Sequence, residues 1–442
     1  MRPSVISIRF IPEELGVRSC LAMKKICSLL LPAVILLLAG VQFSMAAPKG
    51  KAPLQVQGSP HQKSADVGAA SAKNDAPDRY AIGCILPLTG PHSQQGDRAL
   101  EALMLATGVF DIAGQSPIKL AIEDSQGQPE KAKAAVLRLF REEKVIAILG
   151  LLGGTEAIEA AKEAQRLKVP IITLTQNEGI TAIGDHVFRY FLTNLMQVKT
   201  LVKYAMEDRG LRHFAVLYPK DGYGEEMLKL FQQEVRRRGG SLRHIQSYDK
   251  AQMDFGNEIR SLVGLPPLDG DSEQAAKHPE TPEHADIDFD GLFMPDFPER
   301  VNRIAAQLFF HGVTGVALLG TSGWNTAERV RQDGGYLEGA VFVDGFFLDS
   351  IHPEVNDFID KFYAAYGREP DPTDALFYDA ASLAVKIIAH GHIESRDQFR
   401  KALLKVKDYP GVAGMSSIGG SRNAEMEISI LSVRDGRIVQ LK

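Results

Sequence analysis

Cysteine is scarce in this chain. Of 442 residues only Cys20, Cys27 and Cys84 carry a thiol. The first two fall in a leader-like segment, so no internal disulfide is expected beyond it. Cys84 lies in an apolar strand pattern, which suits a small buried hydrophobe rather than a reactive thiol. A long basic stripe is also missing, and the formal net charge is −5; nucleic acid is therefore not expected as the main partner. The mature chain contains no G-x-S-x-G elbow, H-E-x-x-H pair or Cys-x-x-Cys pair, so no catalytic residue, metal ligand or cofactor is predicted and the protein is read as a non-enzyme. His390-x-His392 has no neighbouring acid or cysteine at its helix end and reads as a solvated terminus.

What is present is a large globular chain, 45% hydrophobic, long enough for more than one ordinary domain. Met23-Lys-Lys opens an apolar run to Gly40, and Ser44-Met45-Ala46 places small residues at the offsets of a cleavage site. Residues 1–46 are thus read as a signal peptide whose true start is Met23, implying export to the periplasm. Residues 47–78 are rich in Ala, Pro, Gln, Ser and Lys and read as a flexible tether.

The most informative run is Val145 to Asn177. Val145 to Leu149 is apolar and β-branched, as expected of a strand covered on both faces. Thr155 stands where an N-cap belongs, helical spacing follows to Leu167, and Pro170 stops the helix before a strand at Ile171 to Leu174. Ligands in open parallel sheets bind beyond the carboxyl ends of the strands. That rule directs attention to Gly150 to Thr155 and Thr175 to Asn177, where Gly153 and Gly154 would allow close approach and free amides would favour an anion. The lysine of a nucleotide-binding loop is missing there.

The same βα alternation fills residues 79–195, starts afresh over 196–345, and is interrupted by an acidic, Pro-rich insertion at 264–287. Helices over 346–410 return to the first lobe, and 411–442 reads as a terminal hairpin on the second, turning at Asp435-Gly436. Asp124 and Asp221, in loops after strands, are expected to be caps. The fold class is therefore α/β, with two lobes joined by several crossings around a cleft.

Ile85-Leu-Pro-Leu-Thr-Gly-Pro91, Glu123-Asp124-Ser-Gln-Gly-Gln-Pro129, Gly153-Gly-Thr155, Thr173-Leu-Thr-Gln-Asn177, Tyr218-Pro-Lys-Asp-Gly-Tyr-Gly224 and Asp254-Phe255 together resemble a type I periplasmic solute-binding protein of the leucine/isoleucine/valine-binding class. The resemblance covers residues 79 to 442. Gly320-Thr-Ser-Gly-Trp-Asn325 and Val343-Asp-Gly-Phe-Phe347 are similar to a subgroup named penicillin-binding protein activator. The class implies a parallel sheet flanked by helices in each lobe, a small-molecule ligand such as an amino acid, and an ABC permease as partner. The subgroup implies a penicillin-binding protein as partner instead. On this resemblance Gly154, Thr155, Thr175 and Asn177 would hold a ligand carboxylate, helped by Gln95, Gly153 and Gln176. The second lobe would contribute Tyr223, Asp296, Phe297, Ser322 and Trp324. Ser322 stands where the class carries an acid for the ligand ammonium, which leaves Asp296 as the expected substitute and makes an ordinary amino acid a doubtful ligand.

Overall fold

The computed structural model describes residues 76–109, 116–266, 287–326 and 335–442. The signal-peptide reading, nearly all of the tether and most of the insertion lie outside the described residues. In the first lobe β1 (Asp78–Leu86), β2 (Lys119–Asp124), β3 (Val145–Gly150), β4 (Ile171–Thr173) and β5 (Val187–Arg189) are joined through α1 (Ser93–Thr107), α2 (Pro129–Arg141) and α3 (Gly154–Leu167). The sheet runs β2-β1-β3-β4-β5, every pairing parallel.

The second lobe opens with α4 (Asn194–Lys203) and continues through β6 (His213–Pro219), α5 (Gly222–Arg237), β7 (Ser241–Tyr248), α6 (Gly256–Leu262), β8 (Gly291–Phe293), α7 (Pro298–Phe310), β9 (Ala317–Leu319) and β10 (Val341–Asp344). The helices α8 (Pro353–Tyr366), α9 (Pro372–His390) and α10 (Arg396–Leu403) then return to the first sheet. A small antiparallel sheet of β11 (Tyr409–Gly411), β12 (Gly414–Ile418) and β13 (Ala424–Met426) follows. The chain ends in β14 (Ser429–Arg434) and β15 (Arg437–Gln440), which extend the second sheet to the order β15-β14-β10-β9-β8-β6-β7. Among the described residues its pairings are parallel except β10 with β14 and β14 with β15, so β14 alone runs against the other strands.

Each sheet is covered on both faces, which is why central strands such as β3 read as unbroken apolar runs. On the first sheet, Val136, Leu139, Ala157 and Ala161 of α2 and α3 pack on one face, and Leu103, Phe358, Phe377 and Phe399 on the other. On the second, Phe231 and Leu201 cover one face and Ile259, Ile304 and Leu308 the other. Each of the larger of these side chains contributes roughly 1.5–3 kcal/mol by its burial. Among the described residues no helix is long and apolar enough to cross a membrane.

Three local results differ from the sequence reading. Residues 187–189 form a strand, too short to show a period of its own and defined by pairing with β4. Residues 409–426 form the small sheet rather than part of a terminal hairpin, and Asn423 bridges to Arg189 at the edge of the first sheet. α4 ends at Lys203 and continues as a π-turn over Tyr204–Asp208, which helical spacing does not signal. The terminal hairpin does turn at Asp435-Gly436, both at positive φ (50° and 66°), as a two-residue turn of that type requires.

Candidate functional site

Gly150 closes β3 at φ 126°, and a Cβ there would lie 2.2 Å from the Ile85 carbonyl oxygen. Only glycine fits this backbone, and it sends the chain into the loop before α3. Gly153 is the N-cap of that helix, so Thr155 sits within its first turn and not at the cap. The cap's partner is the protein's own carboxylate: Glu156 accepts the Gly153 amide at 3.1 Å and the Ser125 hydroxyl at 2.7 Å. Glu156 is buried, and its negative charge occupies part of the anion-favouring helix start.

Beyond the carboxyl ends of both sheets lies a cavity of about 1200 Å³. Gln176 reaches it from the loop after β4 and Leu192 from the segment after β5. Tyr223, Phe297, Ser322 and Asp344 reach it from the ends of β6, β8, β9 and β10. Tyr223 and Phe297 stack with centroids 6.1 Å apart at 26°, and Phe297 leaves 53% of its surface open. The Tyr223 hydroxyl pairs with Thr321 at 3.2 Å, and burial pushes its pKa up to about 12. Gln197 of α4 accepts the Ser322 amide at 2.9 Å, tying the second lobe's loop to the helix that enters it.

The wall also carries charged side chains. Arg98 of α1 pairs with Asp371 at 2.7 Å and with the fully buried Asp374 at 3.3 Å. Asp374 also holds Arg368 at 2.6 Å. Asp371 caps α9, accepting the amides of Thr373 and Asp374 at 2.9 and 3.0 Å; burial, then the neighbouring Asp374, raises its pKa. Asp344 is 1% exposed and accepts from Asn325 Nδ2 at 2.8 Å and the Gly345 amide at 2.7 Å. Burial pushes its pKa up to about 7, and repulsion from Asp371 adds to that. Asp349, Glu369, Glu299 and Arg437 complete the charged lining.

Four of the residues singled out from sequence thus line one cavity: Gln176, Tyr223, Phe297 and Ser322. Gln95, Gly153, Gly154 and Thr155 are exposed outside it. Thr175 is buried, 3.4 Å from the Asn177 amide, while Asn177 accepts the Gly179 amide at 3.0 Å; both side chains shape the turn. Asp296 does not face the cleft as a free acid. It is 1% exposed, accepting from Tyr248 at 2.5 Å and pairing with Arg300 at 2.5 Å. Trp324 is buried against Phe342, with centroids 6.3 Å apart, in the second lobe's core and is not exposed for stacking on a ligand. Asp221 is a cap as expected, taking the Gly224 amide at 2.7 Å, whereas Asp124 caps no helix and instead ties the loop after β1 to its own turn, accepting the Leu88 and Gln126 amides at 2.9 Å each. Arg98, Asp344 and Asp371 escaped the sequence reading. Asp371 carried a usable signal, since Asp before Pro372 with Asp374 three residues on marks a helix start.

The family model described as periplasmic binding protein matches residues 79–437. No curated relative matches the sequence. Solved structures of the same fold include a Rhodospirillum rubrum protein described as a branched-chain amino acid ABC transporter, 20% identical, covering 82% of this chain and 99% of its own, with a TM-score of 0.71. A second is the branched-chain amino acid transporter substrate-binding protein LivJ of Streptococcus pneumoniae with isoleucine, 20% identical over 82% and 99%, TM-score 0.59. A third is a solute-binding protein of an ABC transporter from Rhodopseudomonas palustris BisB5 with 3,4-dihydroxybenzoic acid, 20% identical over 82% and 96%, TM-score 0.61. At such identities the likeness carries the fold alone.

Proposed function

Given that the chain belongs to the periplasmic binding protein family, we propose that it is an exported, non-enzymatic receptor that closes its two lobes over a small polar molecule and hands it to an ABC permease in the membrane. The observation carrying this reading is the cavity of about 1200 Å³ at the carboxyl ends of both sheets, walled by side chains from two separately folded cores. A ligand touching both walls binds the closed form better than the open one, and that difference is what a docking permease can read. Isoleucine and dihydroxybenzoate, held by two structural neighbours, set the size of molecule to try first.

A second reading, an envelope protein that engages a penicillin-binding protein, is favoured by Ser322. Its loop offers a hydroxyl where the resemblance calls for an acid, and the backbone amide there is already held by Gln197. A thermal-shift screen of the full chain against amino acids, aromatic acids, amines and muropeptides separates the two. Saturating ligand at one hundred times its Kd should add about 2.7 kcal/mol of stability. A panel without any shift, together with retention of a penicillin-binding protein on pull-down, would replace the receptor reading with the second one.

A further inference from the structure

The cavity wall is rich in acidic side chains. Asp344 is almost wholly buried, yet among the described residues no ion pair reaches it; its partners are an amide side chain and a backbone N–H. Asp371, across the cavity on α9, is close enough to repel it. Arg98, the cation that α1 brings to that wall, is spent on Asp371 and Asp374. Asp349 and Glu369 add acids elsewhere on the lining, and Arg437 a cation in the carboxyl-terminal hairpin. Closing two lobes over such a wall desolvates carboxylates, which is unfavourable unless a counter-charge enters with the ligand. The apolar part of the wall suits a cation as well, because the Tyr223 and Phe297 rings present π faces that attract ammonium groups. An anion would find Arg98 occupied and the α3 start partly filled by Glu156.

We propose that the ligand itself supplies a counter-charge, and that it is an organic amine whose ammonium group lies against Asp344 and Asp371 with its carbon chain along Phe297. This rests on the receptor reading and narrows it to a ligand class. Because the Asp344 carboxyl holds its proton up to about pH 7, amine binding must release that proton below neutrality, and affinity rises with pH up to about 7 and levels off above it.

Isothermal titration calorimetry of the full chain tests this with spermidine (cationic), isoleucine (zwitterionic) and benzoate (anionic), at pH 5.5 to 8 and in buffers of different ionisation enthalpy. The expected result is tightest binding of spermidine, proton release at pH 6, an affinity gain approaching about tenfold per pH unit below 7, and a loss of tenfold or more, roughly, in Asp344→Asn. Should that variant unfold, Asp371→Asn keeps its helix cap and must weaken spermidine likewise, while the wild-type pH profile needs no variant. Isoleucine or benzoate binding more tightly than spermidine, or spermidine affinity flat from pH 5.5 to 8, overturns the amine while leaving the receptor reading in place. Silence from all three overturns the amine, and the receptor reading then stands or falls on the wider thermal-shift panel.

Discussion

A carboxylate can be a ligand contact only while its charge is available, and Asp296 has given its charge away. Arg300 and Tyr248 hold it in a buried position, so Asp296→Asn should destabilise the fold by roughly 3 kcal/mol, leaving Arg300 without its partner, with ligand affinity nearly unchanged. Urea unfolding and calorimetry on that variant check both halves; intact stability with lost affinity would restore Asp296 to the binding surface. Asp344 and Asp379 behave differently. Asp379 is fully buried, accepts the Val412 and Ala413 amides at 2.8 Å each, and burial pushes its pKa up to about 7. An unfolded aspartate titrates near 4, so between about pH 4 and 7 the native state holds protons that the unfolded chain releases. Each group therefore stabilises the fold below pH 4 relative to neutrality, and that contribution, on the order of a few kcal/mol, is lost as pH rises to 7. Asparagine cannot titrate, so the stability of Asp379→Asn measured relative to wild type should increase from pH 4.5 to 7.5. A constant difference would show that Asp379 is ionised throughout. None of this was legible beforehand, because burial of a single polar residue is decided by the elements that pack over it and leaves no periodic trace in its own segment.

Elements were legible where a local rule determines them. β3 and α3 follow from an apolar run, helical spacing and Pro170, and the turn at Asp435-Gly436 follows from two residues that tolerate positive φ. Thr155 as a cap followed an equally sound preference and lost to Gly153, because Glu156 reaches back to the Gly153 amide. Thr155→Ala should therefore change stability by less than about 0.5 kcal/mol, rather than the roughly 1 kcal/mol of a lost cap; thermal melting decides between the two. Gly150→Ala should cost at least about 2 kcal/mol, since the substitution meets both a left-handed φ and the Ile85 carbonyl. A change within experimental error would mean that β1 and β3 can part at their carboxyl ends. The strands β5 and β11 to β13 had no such rule to reveal them, being three to five residues long and defined only by their neighbours.

At the scale of the whole molecule, two sheets with separate cores are linked after β5, after β10 and after β13, and the cavity sits where these links run. Their position explains why residues from distant parts of the sequence, Arg98, Gln197, Asp344 and Asp371, meet in one place and why no single motif announced the site. Links of this kind would let two lobes move as rigid bodies, and on the proposed function a molecule that binds both walls drives their closure. The central claim is that a small molecule drives this closure. Small-angle X-ray scattering of the full chain, with and without the compound giving the largest thermal shift, tests it most directly. A smaller radius of gyration with the compound, reversed on its removal, is the predicted result; a thermal shift with no change in dimensions would contradict closure over the ligand.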